Sequence, residues 1–139
     1  MRSEENGTKR EALWEQAKLA SESAYSPYSG VKVGAAVLDS QGRIHSGCNV
    51  ENASYGLTQC AERNALATAI AAGARPGELV EIAVYATSFE VLSPCGACRQ
   101  VMVELLSDTA MVHCGSDRGS INSWPIESLF PSPFKLEES

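Results

Sequence analysis

Cys60-Ala61-Glu62-Arg63-Asn64-Ala65-Leu66-Ala67-Thr68-Ala69-Ile70-Ala71-Ala72 is the stretch on which the architecture turns. Its alanines and leucine favour helix, and Gly73 behind it is a natural C-terminal stop. The helix therefore begins at or near Cys60, which places a thiol and, two residues on, a carboxylate at its start. Upstream, apolar, small and β-branched residues flank the turn Asp39-Ser40-Gln41-Gly42. That pattern predicts a hairpin of two strands, Val31 to Asp39 and Arg43 to Val50, followed by the polar, Gly-containing segment Glu51 to Gln59. Further upstream, Leu13, Ala17, Ala20 and Ala24 fall at spacings of three and four, so Thr8 to about Ala24 reads as an amphipathic helix. Thr8 is its N-cap with Glu11 three residues on, and Ser26-Pro27-Tyr28-Ser29-Gly30 breaks it. Residues 1–7 are polar and expected to be loose.

Downstream, Glu81 to Ser88 reads as a strand, Ser93-Pro94-Cys95-Gly96 as a turn, Cys98 to Leu106 as a helix and Ala110 to Cys114 as a last strand. A Pro-rich tail follows, with Leu129, Phe130 and Phe134 as apolar anchors. The order α, β, β, α, β, α, β implies a layered α/β domain whose helices cover a sheet. There is no internal repeat or linker, so residues 1–139 are expected to form one domain.

The 139-residue chain is 44% hydrophobic, enough for a packed core, and carries a formal charge of -6. Gripping nucleic-acid backbone needs clustered Lys and Arg, so a small diffusible substrate fits better. No apolar run resembles a signal peptide or approaches the roughly 20 residues of a membrane helix, which predicts a cytoplasmic protein without a membrane partner. Five cysteines, Cys48, Cys60, Cys95, Cys98 and Cys114, are an odd number. In a reducing compartment metal or catalytic use outranks disulfides. His45 and His113 sit inside strand segments in no ligand-like spacing and read as structural or surface residues.

Pro94-Cys95-Gly96-Ala97-Cys98 is a C-x-x-C pair in a turn that opens a helix, where the helix dipole favours thiolates. Zinc, a redox dithiol and a structural pair all use this spacing. Cys60 supplies a third sulfur, and three protein ligands with a free fourth position are the mark of catalytic rather than structural zinc. Cys48 and Cys114, in apolar strand surroundings, read as buried inert thiols rather than a fourth ligand. Glu62 is then placed to take a proton from water activated by the metal and donate it onwards. The plain alternative is a carboxylate stabilised in a helix's first turn. Three thiolates leave a zinc site negatively charged, and Arg63 and Arg99, each next to a motif residue, are expected to donate hydrogen bonds to ligand sulfurs, ordinary surface arginines being the alternative.

Together, Cys60-Ala61-Glu62-Arg63 and Pro94-Cys95-Gly96-Ala97-Cys98-Arg99-Gln100 closely resemble the zinc-dependent cytidine deaminase family. The similarity runs from about Tyr25 to Phe134 and includes Ser26-Pro27-Tyr28-Ser29, Val33-Gly34-Ala35-Ala36 and Gly47-Cys48-Asn49-Val50-Glu51-Asn52-Ala53-Ser54-Tyr55-Gly56. It implies a three-layer α/β/α fold with a mixed central sheet, one Zn2+ per chain on Cys60, Cys95 and Cys98, and a proton-shuttling Glu62, features general to zinc deaminases. It also implies that Asn49 and Glu51 bond the ribose hydroxyls. The backbone around Ala61 and the Cys95 amide would contact the base, Tyr55 would reach a neighbouring subunit's site, and Phe134 would lie against a substrate pocket. On hydrophobicity alone Phe134 is equally a tail anchor. Short members of the family are homotetramers with composite active sites, so a homotetramer is implied here.

One position departs from the family pattern. Where a phenylalanine typically packs on the pyrimidine face, this chain has Val31, which can cover a ring but not stack on it, a difference of about 1 kcal/mol. Two enzyme readings follow: deamination of cytidine or deoxycytidine, and deamination of a modified aminated nucleoside such as a blasticidin-like antibiotic. Glu51 favours the first, because a sugar-binding carboxylate is useful where free ribose hydroxyls are offered. A structural zinc module and a dithiol redox protein are the non-deaminase alternatives, and polynucleotide deamination fits an acidic chain least.

Overall fold

The computed structural model describes residues 2–87, 93–117 and 119–136, with residues 2–8 described as backbone. Helix α1 (Arg2–Ser21) leads into the hairpin β1 (Val33–Asp39) and β2 (Ile44–Cys48). A single 3-10 turn, Tyr55–Leu57, precedes α2 (Ala61–Ala71). Then come β3 (Leu79–Ala86), α3 (Gly96–Leu105), β4 (Leu106–Ser116), β5 (Asn122–Pro125) and the short α4 (Ile126–Leu129). The strands form one five-stranded sheet in the order β2-β1-β3-β4-β5. Only β3 and β4 run parallel; β1 pairs antiparallel with both β2 and β3, and β5 pairs antiparallel with β4, so the sheet is mixed.

Strand alternation divides the core into two faces. Ala35 and Val37 of β1, Ile82 and Val84 of β3, and Val112 and Cys114 of β4 pack with Ala65 and Leu66 of α2 and Met102 of α3. Their neighbours Ala36, Leu38, Ala83 and Tyr85 pack with Leu13 and Ala17 of α1. Helix, sheet and helices thus form the expected three α/β/α layers. Two glycines let the layers approach. A Cβ at Gly34 would lie 1.9 Å from the Ala17 carbonyl oxygen, and one at Gly47 would lie 2.5 Å from the Ala65 amide nitrogen. α1 and α2 therefore rest on the bare backbone of β1 and β2.

Both histidines are buried, and each is held by a carboxylate. His45 Nε2 lies 3.0 Å from Asp39 Oδ2, within a cluster in which Asp39 also accepts from the Gln41 and Arg43 amides and from Arg43 Nε. His113 Nε2 lies 2.5 Å from Glu81 Oε2, and its Nδ1 2.6 Å from Ser123 Oγ, which ties β3, β4 and β5 together.

The structure departs from the sequence reading mainly at element ends. α1 starts at Arg2, six residues before the anticipated cap at Thr8, and stops at Ser21. β4 starts at Leu106, directly after α3, and β3 at Leu79; Ser88, expected in that strand, lies outside the described residues. The Pro-rich tail, read from the sequence only as carrying the apolar anchors Leu129, Phe130 and Phe134, contains two elements. β5 is an edge strand, so Pro125 at its end interrupts no interior ladder, and the same proline caps α4. Among the described residues no helix is long and apolar enough to cross a membrane.

Candidate metal centre and active site

The unit β3-α3-β4 is a parallel crossover, and the chain leaving β3 reaches Ser93 and Pro94 just before α3. Cys95 is the N-cap of α3 with extended backbone (φ -68°, ψ 166°), and Cys98 falls in the helix's first turn. Cys60 is likewise the extended N-cap of α2 (φ -74°, ψ 151°). Neither cap sulfur makes a capping hydrogen bond to its helix's backbone. Two helix N-termini therefore converge with their positive ends toward the same thiols.

The three Sγ atoms lie within 4.8 Å of one another, Cys60 3.9 Å from Cys95 and Cys95 3.4 Å from Cys98. Thiolates around a tetrahedral zinc at about 2.3 Å stand about 3.8 Å apart, so the cluster fits that ion. Soft sulfur donors point the same way. Among the described residues the group closes at three, which is the open-site pattern. Cys114, 0% exposed in the core, and the half-buried Cys48 stand outside it. A hydrogen bond from Cys98, then the Arg63 guanidinium, brings the Cys60 pKa down to about 5, while that of Cys98, bonded to Cys60 and buried, is pushed up.

Glu62 occupies the first turn of α2 and is 6% exposed. Burial raises its pKa above the ordinary carboxylate value, and the nearby Cys60 charge raises it further. A carboxyl so placed holds a proton more readily than a free carboxylate does.

The two arginines differ. Arg63 Nη2 donates to Cys60 Sγ at 3.3 Å and to the Thr58 carbonyl at 3.4 Å. Arg99 meets no sulfur by hydrogen bond. Its Nε and Nη1 donate to the carbonyls of Pro94 and Leu129, each at 2.8 Å, and its Nη2 to Ser93 Oγ at 3.3 Å. The expectation that Arg99 donates to a ligand sulfur is corrected: its planar fork instead engages the carbonyls of Pro94 and Leu129 and clamps the Cys95 turn to the C-terminal segment.

A cleft of about 300 Å³ opens over the cluster, lined in part by Val31, Asn49, Cys60, Ala61, Glu62 and Cys95. Asn49 braces its wall, taking the Val33 amide on Oδ1 at 2.9 Å and giving Nδ2 to the Val31 carbonyl at 3.0 Å. Glu51 sits outside the lining, its carboxylate turned to the Tyr28–Ser29 backbone. Tyr55, 76% exposed, packs edge-on against Tyr28 and lines no part of the cleft. Phe134, 70% exposed, borders a separate cleft of about 740 Å³ with Gln100, which donates to the Phe134 carbonyl. Within one chain, then, neither Tyr55 nor Phe134 lines the cleft over the sulfurs. Ser29 and Ser93 also line the cleft and were not singled out from the sequence. Ser93 had one available signal, its place directly before Pro94-Cys95.

The family model described as the zinc-binding region of cytidine and deoxycytidylate deaminases matches residues 7–114. A cytidine deaminase of Halalkalibacterium halodurans is 46% identical over 129 residues, 93% of this chain and 96% of that one. One from Mycobacterium tuberculosis is 48% identical over 125 residues, 88% of this chain and 86% of its own. Among solved structures, the cytidine deaminase of Burkholderia pseudomallei superposes with a TM-score of 0.85 at 51% identity, covering 89% of this chain and 98% of that chain. Three sulfurs set for zinc at two helix starts, a buried glutamate beside them and these similarities lead to one statement: the chain belongs to the zinc-binding cytidine and deoxycytidylate deaminase family.

Proposed function

We propose that the chain hydrolyses cytidine, deoxycytidine or both to uridine or deoxyuridine and ammonia. The observation that carries this reading is Glu62, buried in the first turn of α2 beside Cys60, Cys95 and Cys98 on the floor of a nucleoside-sized cleft. One zinc ion per chain, held by those sulfurs, supplies the Lewis acidity that makes water a nucleophile near neutral pH. Glu62 takes the proton released as water adds to the amino-bearing carbon and hands it to the ring nitrogen. A second proton, from the hydroxyl now on that carbon, goes by the same carboxyl to the amino group; the carbonyl forms as the carbon–nitrogen bond breaks, and ammonia leaves. The raised pKa of Glu62 suits this exchange.

The backbone at Ala61 and the Cys95 amide hold the base, with Val31 against its face. Asn49 and Glu51 take the sugar hydroxyls. The exposed aromatic rings of Tyr25, Tyr28 and Tyr55, with Leu57, favour assembly with further copies, a homotetramer in which Tyr55 and Phe134 serve neighbouring sites. The place of work is the cytoplasm, and the charge of -6 favours a free nucleoside over a polynucleotide.

A second reading rests on Val31, an aliphatic residue lining the cleft where a ring would stack: a modified aminated nucleoside, blasticidin-like in bulk, as the substrate. Following the ultraviolet absorbance of cytidine and deoxycytidine with purified zinc-loaded protein separates the two. Loss of either at catalytic rates supports the first reading; turnover of the modified nucleoside alone replaces it with the second.

A further inference from the structure

The break between α1 and β1 does more than end a helix. Tyr25 and Val50 bridge in parallel, with the Tyr25 amide on the Asn49 carbonyl at 3.0 Å and the Glu51 amide on the Tyr25 carbonyl at 2.8 Å. Beyond that bridge Gly30, at φ +74°, closes a tight loop by giving its amide to the Ser26 carbonyl. The left-handed turn suits glycine and sets consecutive amides side by side. Those of Tyr28 and Ser29 both point at Glu51 Oε1, at 2.9 and 3.1 Å. The Ser29 hydroxyl donates to Glu51 Oε2 at 2.5 Å and accepts the Val31 amide at 3.1 Å. Three donors from one loop thus converge on one carboxylate, and the Ser29 bond is the first cause of its lowered pKa.

A carboxylate has about four acceptor positions. Three are filled, so Glu51 retains one, on Oε2, the oxygen bonded by Ser29, which itself lines the cleft. Asn49 similarly retains one N–H beyond the bond to Val31. We propose that Ser29 is a positioning residue for substrate specificity: by locking both oxygens of Glu51 it leaves one fixed acceptor at the cleft rim, which takes a single sugar hydroxyl. Ser29 touches no reacting atom. It acts through Glu51.

This rests on the reading of the cleft as a nucleoside site. The test is a cycle between residue and hydroxyls, run on the full zinc-loaded chain. Cytidine and 2′,3′-dideoxycytidine are assayed with the unaltered protein, Ser29→Ala and Ser29→Thr. Expected for Ser29→Ala is a rise in KM for cytidine of roughly tenfold, the scale of a lost bond to a charged group, with kcat held. Dideoxycytidine kinetics should be unchanged, which also reports that the variant is folded, and Ser29→Thr, which keeps the hydroxyl, should restore the cytidine KM. Equal losses on both substrates, or an unchanged ratio between them, would overturn the proposal. Absence of cytidine turnover by the unaltered protein would instead remove the activity on which it stands.

Discussion

Arg63 Nη2 lies 3.3 Å from Cys60 Sγ, while the buried Nε of the same side chain has no hydrogen-bond partner among the described residues. A guanidinium held against a ligand thiolate draws electron density from it. That offsets part of the negative charge that three sulfurs place on a divalent ion, and so favours acidic water at the site.

Replacing Arg63 by Gln keeps a donor but removes the charge. Turnover should fall by roughly tenfold or more, while zinc content stays close to one per chain, because the three sulfurs are untouched. Metal analysis alongside steady-state kinetics checks this. Unchanged kcat with intact zinc would take Arg63 out of the catalytic account.

The contact between α1 and β1 gives a stability prediction. A methyl at Gly34 would sit 1.9 Å from a backbone oxygen and 2.4 Å from the Ser21 amide, so Gly34→Ala must push α1 off the sheet. It should cost about 3 kcal/mol in denaturant unfolding. Gly56→Ala, where an added Cβ meets nothing within 4 Å, should stay within about 0.5 kcal/mol. Equal effects at the two positions would contradict the seating of α1 on bare strand backbone.

Asp39 gives a pH prediction. Burial alone would raise its pKa, but bonds from His45 and Arg43 and from the Gln41 and Arg43 amides outweigh that and hold it well below 3.8. A carboxyl depressed on folding stabilises fully above its unfolded pKa and loses that contribution as pH falls toward the folded one. Asp39→Asn should therefore destabilise by about 1–2 kcal/mol at pH 7. The gap should stay level down to about pH 5 and narrow below about pH 4. Urea titrations of both proteins across pH 3 to 7 measure it, and a gap that widens in acid would have the wrong sign.

Much of this was legible before any coordinates. The alanine-rich run after Cys60 and the C-x-x-C turn announced two helix starts carrying thiols, and the structure puts those sulfurs together. The hairpin around Asp39-Ser40-Gln41-Gly42 was equally plain, since turn chemistry and the apolar, small and β-branched flanks agree there. β5 and α4 were not, because four-residue elements carry too little periodicity to stand out from a Pro-rich tail and are fixed by pairing with β4. Arg99 shows the other limit. Adjacency to Cys98 in sequence suggested a sulfur contact, but one residue's step along a helix turns a side chain by about 100°, toward Pro94 and Leu129. The Ser29 contacts were invisible for a similar reason, as they join residues 22 apart.

The central claim is that Glu62 moves the protons of a zinc-dependent deamination. Zinc per chain and cytidine turnover measured together on Glu62→Gln test it most directly. The account predicts zinc retained at one per chain and kcat lowered about a thousandfold. Turnover close to that of the unaltered protein, with zinc in place, would contradict it.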